Sequence, residues 1–207
     1  MKLKILKNEI IKYGNIIVSK GFSPGTSGNI SLRYKDKIII TTSGSSNGDL
    51  SYEDLVVIDL EGNIVKGDKK PSSEKMLHVE FYKKRPDVNA IIHVHPTYLS
   101  SFAAARKALD EPVMAENVYY FGKIPIADYA MPSSKELVDK TAKYFDKYNA
   151  VLMANHGFIV GDVDLQHAYL KLELAESYAQ VVLNAKLLDG AVLLNKKEVA
   201  EIEALKK

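Results

Sequence analysis

Apolar residues recur at helical spacing at the start of the chain, where Ile5, Leu6, Ile10, Tyr13, Ile17 and Val18 share one face and the pattern stops at Gly21. This predicts an amphipathic opening helix closed by a glycine cap. The period then shortens. Asn29 to Tyr34 and Lys37 to Thr42 alternate or run apolar around Lys35-Asp36, as a β-hairpin does, and Val56 to Leu60 turns at Glu61-Gly62-Asn63 into Ile64-Val65 as a second one. A helix is expected over Ser73 to Arg85, halted by Pro86, with Glu74 in its first turn. An apolar strand then runs from Asn89 to His95 and stops at Pro96, which has no N–H to donate. The spacing next predicts a helix over Pro96 to Leu109, a Pro/Gly-punctuated segment to Pro132, and a helix opened by Ser133-Ser134 and Glu136 that reaches Tyr148. Ala150 to Ala154 reads as a buried strand and Phe158 to Val160 as a short one. Leu165 to Leu188 is a long helix ending near Gly190, and Lys196 to Leu205 a last charged one. No repeat or low-complexity linker divides residues 1–207, so a single domain is expected: an α/β fold with a mixed, largely antiparallel sheet covered by helices.

Composition narrows the function classes. A chain of 207 residues with 46% hydrophobic content can bury a full core as one domain. No run reaches the roughly 18 apolar residues of a membrane span. The first lysines are interleaved with isoleucines rather than set before an apolar block, so no secretory signal and no membrane partner are expected. Zero cysteine excludes disulfides and thiolate ligands and fits a reducing, cytoplasmic location. A net charge of +2, with no basic run interleaved with aromatics, argues against nucleic acid. Arginine occurs only at 33, 85 and 106, so two-pronged clamping of phosphate by guanidinium is not the expected binding device.

The chemistry sits where elements end. His93-Val94-His95 puts two imidazoles at i and i+2, the spacing that places both on one side of a strand rising about 3.3 Å per residue. Such a pair also fits two satisfied imidazoles. The second buried strand, however, ends in another histidine loop, Asn155-His156-Gly157, and Glu74 stands at a loop-to-helix junction. Three histidines and a carboxylate form a borderline-soft divalent site that Zn²⁺ fits best, at about 2.0–2.1 Å for nitrogen. Three small-residue loops remain: Pro24 to Asn29, Thr41 to Ser46, and Pro71-Ser72-Ser73. Each alone is an ordinary turn or helix cap. Because Ser72 and Ser73 directly precede Glu74, a cradle of backbone N–H groups and hydroxyls for a phosphate would adjoin the metal. His78, one turn beyond Glu74, has the spacing of a partner that orients the carboxylate, although a packing or surface histidine is the preferred reading. His167, on the long helix, reads as structural.

Five motifs in order, Gly25-Thr26-Ser27-Gly28-Asn29, Thr42-Ser43-Gly44, Pro71-Ser72-Ser73-Glu74, His93-Val94-His95 and Asn155-His156-Gly157, make the chain similar to the zinc-dependent class II aldolase/adducin family. The likeness is to members of the fuculose-1-phosphate type and runs from the opening helix to about Gly190. The family shares its fold with ribulose-5-phosphate 4-epimerase and the adducin head domain. The resemblance implies a three-layer αβα sandwich, assembled as a homotetramer with active sites between subunits. It further implies Glu74, His93, His95 and His156 as zinc ligands, and Gly28, Asn29, Ser43, Gly44, Ser72 and Ser73 at the phosphate end of a small sugar phosphate. The implied reaction is reversible cleavage of a short ketose 1-phosphate to dihydroxyacetone phosphate and an aldehyde such as lactaldehyde, through a zinc-stabilised enediolate. Glu74 is the natural proton carrier at the enediolate carbon.

A second proton-transfer group is needed at the aldehyde oxygen. The tyrosine that fuculose-phosphate members bring from a neighbouring subunit does not map cleanly here; the region aligns at Met114-Ala115-Glu116, and Glu116, Tyr119 and Tyr120 all stand as candidates. No tyrosine follows Tyr178, which leaves the aldehyde open. An epimerase or a methylthioribulose-1-phosphate dehydratase would use the same scaffold. Glutamate at 74 favours the aldolase over the epimerase, which has aspartate there. An adducin-like interaction module would keep the fold but has no reason to keep the metal set.

Overall fold

In the computed structural model, which describes residues 2–206, the amphipathic opening pattern becomes α1 (Lys2–Ser19), burying Ile10, Tyr13 and Ile17. It closes where Gly21 takes φ 77°, with Phe22 N–H donating to Ile17 O and Gly21 N–H to Val18 O. That is the paired closure a left-handed residue permits. The two-period stretches form β1 (Asn29–Tyr34), β2 (Lys37–Thr41), β3 (Leu55–Ile58) and β4 (Ile64–Lys66). They are followed by α2 (Lys75–Lys84), β5 (Ala90–Val94) and α3 (Thr97–Ala104). The remainder is α4 (Ala115–Tyr120), β6 (Ile126–Ala127), α5 (Lys135–Ala142), β7 (Ala150–Met153), β8 (Gly157–Asp162), α6 (Leu165–Lys186) and α7 (Lys196–Glu203).

The strands make one eight-stranded sheet in the order β4-β3-β2-β1-β5-β8-β7-β6, antiparallel except for the β6–β7 pair. Alternation sends Ile30, Leu32, Ile92, Val94, Phe158 and Val160 to a core shared with α1, α3 and α6. Their neighbours Ile38, Ile40, Ile91, Val151 and Ile159 go to a second core shared with α2 and α5. The result is the expected three-layer αβα sandwich with a mixed, largely antiparallel sheet. Among the described residues no helix is long and apolar enough to cross a membrane.

Four local readings are corrected. The helix after Pro96 stops at Ala104, not Leu109, because Arg106 occupies the left-handed closing position at φ 51°. Lys107 N–H then bonds Phe102 O, the closure that Gly21 gives α1. With arginine in a slot where glycine is the usual signal, the stop was invisible. Leu109 instead bridges Ile124, and the segment read as irregular contains α4 and β6. The helix expected to reach Tyr148 ends at Ala142 in tight turns. Glu74 precedes α2 as its cap residue instead of lying within the first turn, and its side chain makes no capping bond.

Candidate metal centre

β5 lies between β1 and β8, so His93 is registered against Asn29 on one side and Ile159 on the other. Its ring is fully buried, and Nδ1 donates to Phe158 O at 2.9 Å. A carbonyl only accepts, so that bond holds the proton on Nδ1 and turns the Nε2 lone pair inward. His95 lies one residue past the end of β5, with its N–H on Phe22 O at 3.1 Å, and its Nε2 is 3.1 Å from His93 Nε2. His156 comes from the β7–β8 turn, where Asn155 takes φ 54° and accepts a 2.8 Å bond from Arg106 Nε. One ring nitrogen from each histidine lies within 4.8 Å of the others. Two nitrogens bound tetrahedrally to zinc at about 2.0–2.1 Å stand about 3.3–3.4 Å apart, close to the His93–His95 spacing.

Two glycines make room. A Cβ on Gly28, which has φ 76°, would lie 2.5 Å from His93 O; one on Gly157 would lie 2.3 Å from His95 Cδ2 and 2.8 Å from Val94 O. Backbone therefore packs directly against both His93 and His95.

Glu74 is buried and faces the same point, with Oε2 2.9 Å from His93 Nε2 and Oε1 3.3 Å from His156 Nε2. Glu74 Oε1 and His156 Nδ1 are buried without hydrogen-bond partners among the described residues. Burial disfavours the Glu74 carboxylate, yet the nearby His93 and His156 outweigh it and hold the group well below the usual range. Burial likewise opposes charge on His93, but Glu74 overcomes it and raises its pKa. Burial, and then repulsion from His93, pushes His95 down to about 3 and His156 down to about 4. Several acceptors thus converge on a point that demands a positive charge. A proton on His93 meets that demand in part. A divalent ion held by Glu74, His93, His95 and His156 would meet all of it, and the donor set suits zinc.

Glu74, His95 and His156 form one wall of a cavity of about 230 Å³, with His93 fully buried behind them, and the remaining lining includes Thr26, Gly28, Asn29, Ser43, Gly44, Ser72 and Ser73. The small-residue loops are zipped together: Ser43 N–H bonds Lys70 O, Ser72 N–H bonds Thr41 O, and Thr42 bridges Pro71. All six residues expected at the phosphate end therefore border the metal-facing groups. Thr26 and Thr42 also line the cavity; they lay inside the motifs but were not singled out. Ser133 was read only as part of a helix start. In the structure Ser134 caps α5, while Ser133, strained at φ 65°, donates to Ser73 Oγ at 2.8 Å on the cavity wall. No local sequence signal marks that backbone conformation.

Glu116, Tyr119 and Tyr120 are not brought to this cavity within the chain. They lie on α4, which packs against α6 and α7. His78 is neither a surface residue nor a direct partner of Glu74: it is fully buried and bonded to Asn29 and Ser31. His167 pairs with Asp164 at the exposed start of α6.

The sequence profile of the family described as "Class II Aldolase and Adducin N-terminal domain" matches residues 8–183. An L-fuculose phosphate aldolase of Methanocaldococcus jannaschii is 36% identical over 177 residues, covering 86% of this chain and 95% of that protein. A 5-deoxy-D-ribulose 1-phosphate aldolase of Bacillus thuringiensis serovar kurstaki is 32% identical over 205 residues, covering 98% and 95%. A 3-oxo-tetronate 4-phosphate decarboxylase of Haemophilus influenzae is 35% identical over 181 residues, covering 84% and 85%. A solved L-fuculose 1-phosphate aldolase superposes with a TM-score of 0.91 at 34% identity, covering 97% of this chain and 95% of that one.

Proposed function

Because this chain belongs to the class II aldolase and adducin N-terminal domain family, we propose that it is a zinc-dependent aldolase. It reversibly cleaves a short ketose 1-phosphate into dihydroxyacetone phosphate and a small aldehyde such as lactaldehyde. The observation that carries this reading is a single one: His93, His95, His156 and Glu74 face one point on the wall of a cavity whose other side is a zipped cradle of glycines and hydroxyls.

When bound by those four residues, zinc supplies Lewis-acid stabilisation of the negative charge that develops beside the breaking carbon–carbon bond. The protein's own groups do the rest. Gly28, Asn29, Ser43, Gly44, Ser72 and Ser73 bind the phosphate through N–H and hydroxyl donors, which fixes the ketose and aims its bond at the metal-facing wall. As the bond breaks, its electron pair stays with the carbon of the dihydroxyacetone phosphate half, and Glu74 delivers a proton there. In the synthetic direction the same carboxylate removes that proton. The other half must lose its hydroxyl proton to become an aldehyde. Glu116, Tyr119 or Tyr120 takes it, reaching the cavity from a neighbouring subunit of a homotetramer.

The relative named as a decarboxylase supports a second reading, in which the bond broken is to a carboxylate and carbon dioxide leaves in place of the aldehyde. Metal-loaded protein incubated with a panel of ketose 1-phosphates, ketose 5-phosphates and a 3-oxo-tetronate 4-phosphate separates the readings by product mass. The aldolase reading expects dihydroxyacetone phosphate from a ketose 1-phosphate. Carbon dioxide from the oxo acid alone selects the decarboxylase. Epimerised pentulose phosphate, or no turnover with metal retained, removes both.

A further inference from the structure

His78 has no place in the chemistry above, yet it is fully buried beside it, at the middle of a row of polar side chains inside the core. Asn29 Nδ2 lies 3.4 Å from Glu74 Oε2, Asn29 Oδ1 lies 2.5 Å from His78 Nε2, His78 Nδ1 lies 2.7 Å from Ser31 Oγ, and Ser31 Oγ lies 2.9 Å from Tyr82 OH. Asn29 and Ser31 are neighbours on one face of β1. His78 and Tyr82 are a turn apart on α2, so the row is a seam between strand and helix.

The row has a direction. The two ends of an asparagine amide have nearly the same shape, so only its partners decide which end points where. A carboxylate accepts and cannot donate, so Nδ2 must face Glu74 and Oδ1 must accept from His78 Nε2–H. A neutral imidazole with its proton on Nε2 has an acceptor at Nδ1, which takes the Ser31 hydroxyl proton; Ser31 Oγ in turn accepts from Tyr82 OH. Burial, and then the positive charge of His93, pushes His78 down to about 3, and burial raises Tyr82, so the histidine stays neutral and the phenol keeps its proton.

We propose that His78 is a positioning residue: by donating to Asn29 Oδ1 it fixes the amide so that Nδ2 presents one N–H to Glu74 and the other to the cavity. With that donor removed, the amide is free to rotate and set its oxygen against the carboxylate, which displaces Glu74. The orientation stands on geometry alone; its consequence for turnover rests on the aldolase reading.

Two measurements test it. In metal-free protein labelled with ¹⁵N-histidine, His78 should show a protonated Nε2 and an unprotonated Nδ1; the opposite tautomer overturns the proposal. In cleavage of L-fuculose 1-phosphate, His78→Phe should lower kcat/KM about 10–100-fold, the range for residues that support a metal site from behind. In an Asn29→Ala background the same change should cost less than about threefold, because the residue through which it acts is already gone. His78→Gln, whose Nε2 can donate from the same place, should recover most of the loss. An undiminished loss in the Asn29→Ala background, or His78→Gln no better than His78→Phe, overturns it. Should His78→Phe not fold, the tautomer and His78→Gln decide. Should L-fuculose 1-phosphate not be cleaved at all, the aldolase reading falls, while the tautomer still decides the orientation.

Discussion

The cavity wall and helix α4 carry candidate proton-transfer groups in opposite conditions. Glu74 is buried, ringed by His93, His156 and Asn29, and set where a loop meets a helix. Glu116, Tyr119 and Tyr120 sit on a six-residue helix, the two tyrosines exposed and packed edge-to-face on each other with ring centroids 5.0 Å apart. A metal centre needs its ligands in place before the ion arrives, and paired strands supply that accuracy. A group on an exposed short helix gains a fixed position only when another surface covers it. The cavity is thus built inside one chain, while α4 leaves both tyrosines open to whatever surface meets it.

The strongest way to break the first half of that contrast is His93→Ala, which removes the ring anchored on Phe158 O of β8. Bound zinc, counted per chain by elemental analysis, should fall to background, and activity with it. A chelator-treated, metal-free sample that kept its full rate would contradict the metal-dependent mechanism.

The contrast sharpens when its two sides are separated. Glu74→Gln should lower kcat by about 10²–10⁴-fold while largely sparing substrate binding, since an amide cannot carry the proton. Mixed under subunit exchange with an inactive Glu116→Gln chain, or with an inactive Tyr119→Phe/Tyr120→Phe chain, it should recover activity at hybrid interfaces that join an intact metal side to an intact donor side. No recovery despite verified exchange would return the search for the second donor to a single chain.

A smaller effect is expected where backbone packs on the cavity wall. Gly157→Ala adds a methyl 2.3 Å from His95 Cδ2, so the ring must move. Metal affinity should drop about 10–100-fold with all four proposed ligands still present, as read by titration with Co²⁺. An unchanged affinity would show that the wall yields easily.

The histidines and loops were legible because their chemistry is written in side chains at the ends of periodic segments: His93-Val94-His95 before a proline, His156 after an apolar run, Ser72-Ser73 before Glu74. The central sheet was legible for the same reason, its alternation at Ile30 and Leu32 or Ile38 and Ile40 being plain in the chain. What escaped depended on backbone angles or on distance. Arg106 and Ser133 take positive φ without the glycine that would have announced it. α4 and β6 are too short to establish a period. The meeting of His78 with Asn29 joins residues whose relation depends on how α2 lies across β1, which spacing within one helix cannot reveal.

The smallest expected effect lies outside both regions and serves as a control. Asp54 accepts from Ser51 and from Lys69 Nζ, and the Lys69 bond, followed by those from Ser51, lowers it from its ordinary 3.8 to about 2. A carboxyl depressed by folding stabilises above its unfolded pKa and loses that contribution as pH falls through the folded one. Asp54→Asn should therefore cost about 0.5–2 kcal/mol in denaturant melts at neutral pH, the range for a lost cap. The gap from the parent protein should close as pH falls from about 4 towards 2, and at neutral pH Asp54→Asn should leave metal binding unchanged. A gap that did not vary with pH would mean that the charge of Asp54 contributes nothing.

The flanking of β5 by β1 and β8 has a kinetic side. His93 meets Asn29 and Ile159, each roughly 65 residues away along the chain, so neither neighbour is brought to it by a local turn. Pairings of such long sequence separation form late and slowly. Once made, they put this strand among the last places to open, because parting it exposes both hydrophobic cores. Amide hydrogens of β5 should be among the slowest in the molecule to exchange with solvent, and an ion gripped through His93 would have its residence time set as much by the opening of the sheet as by the strength of its bonds.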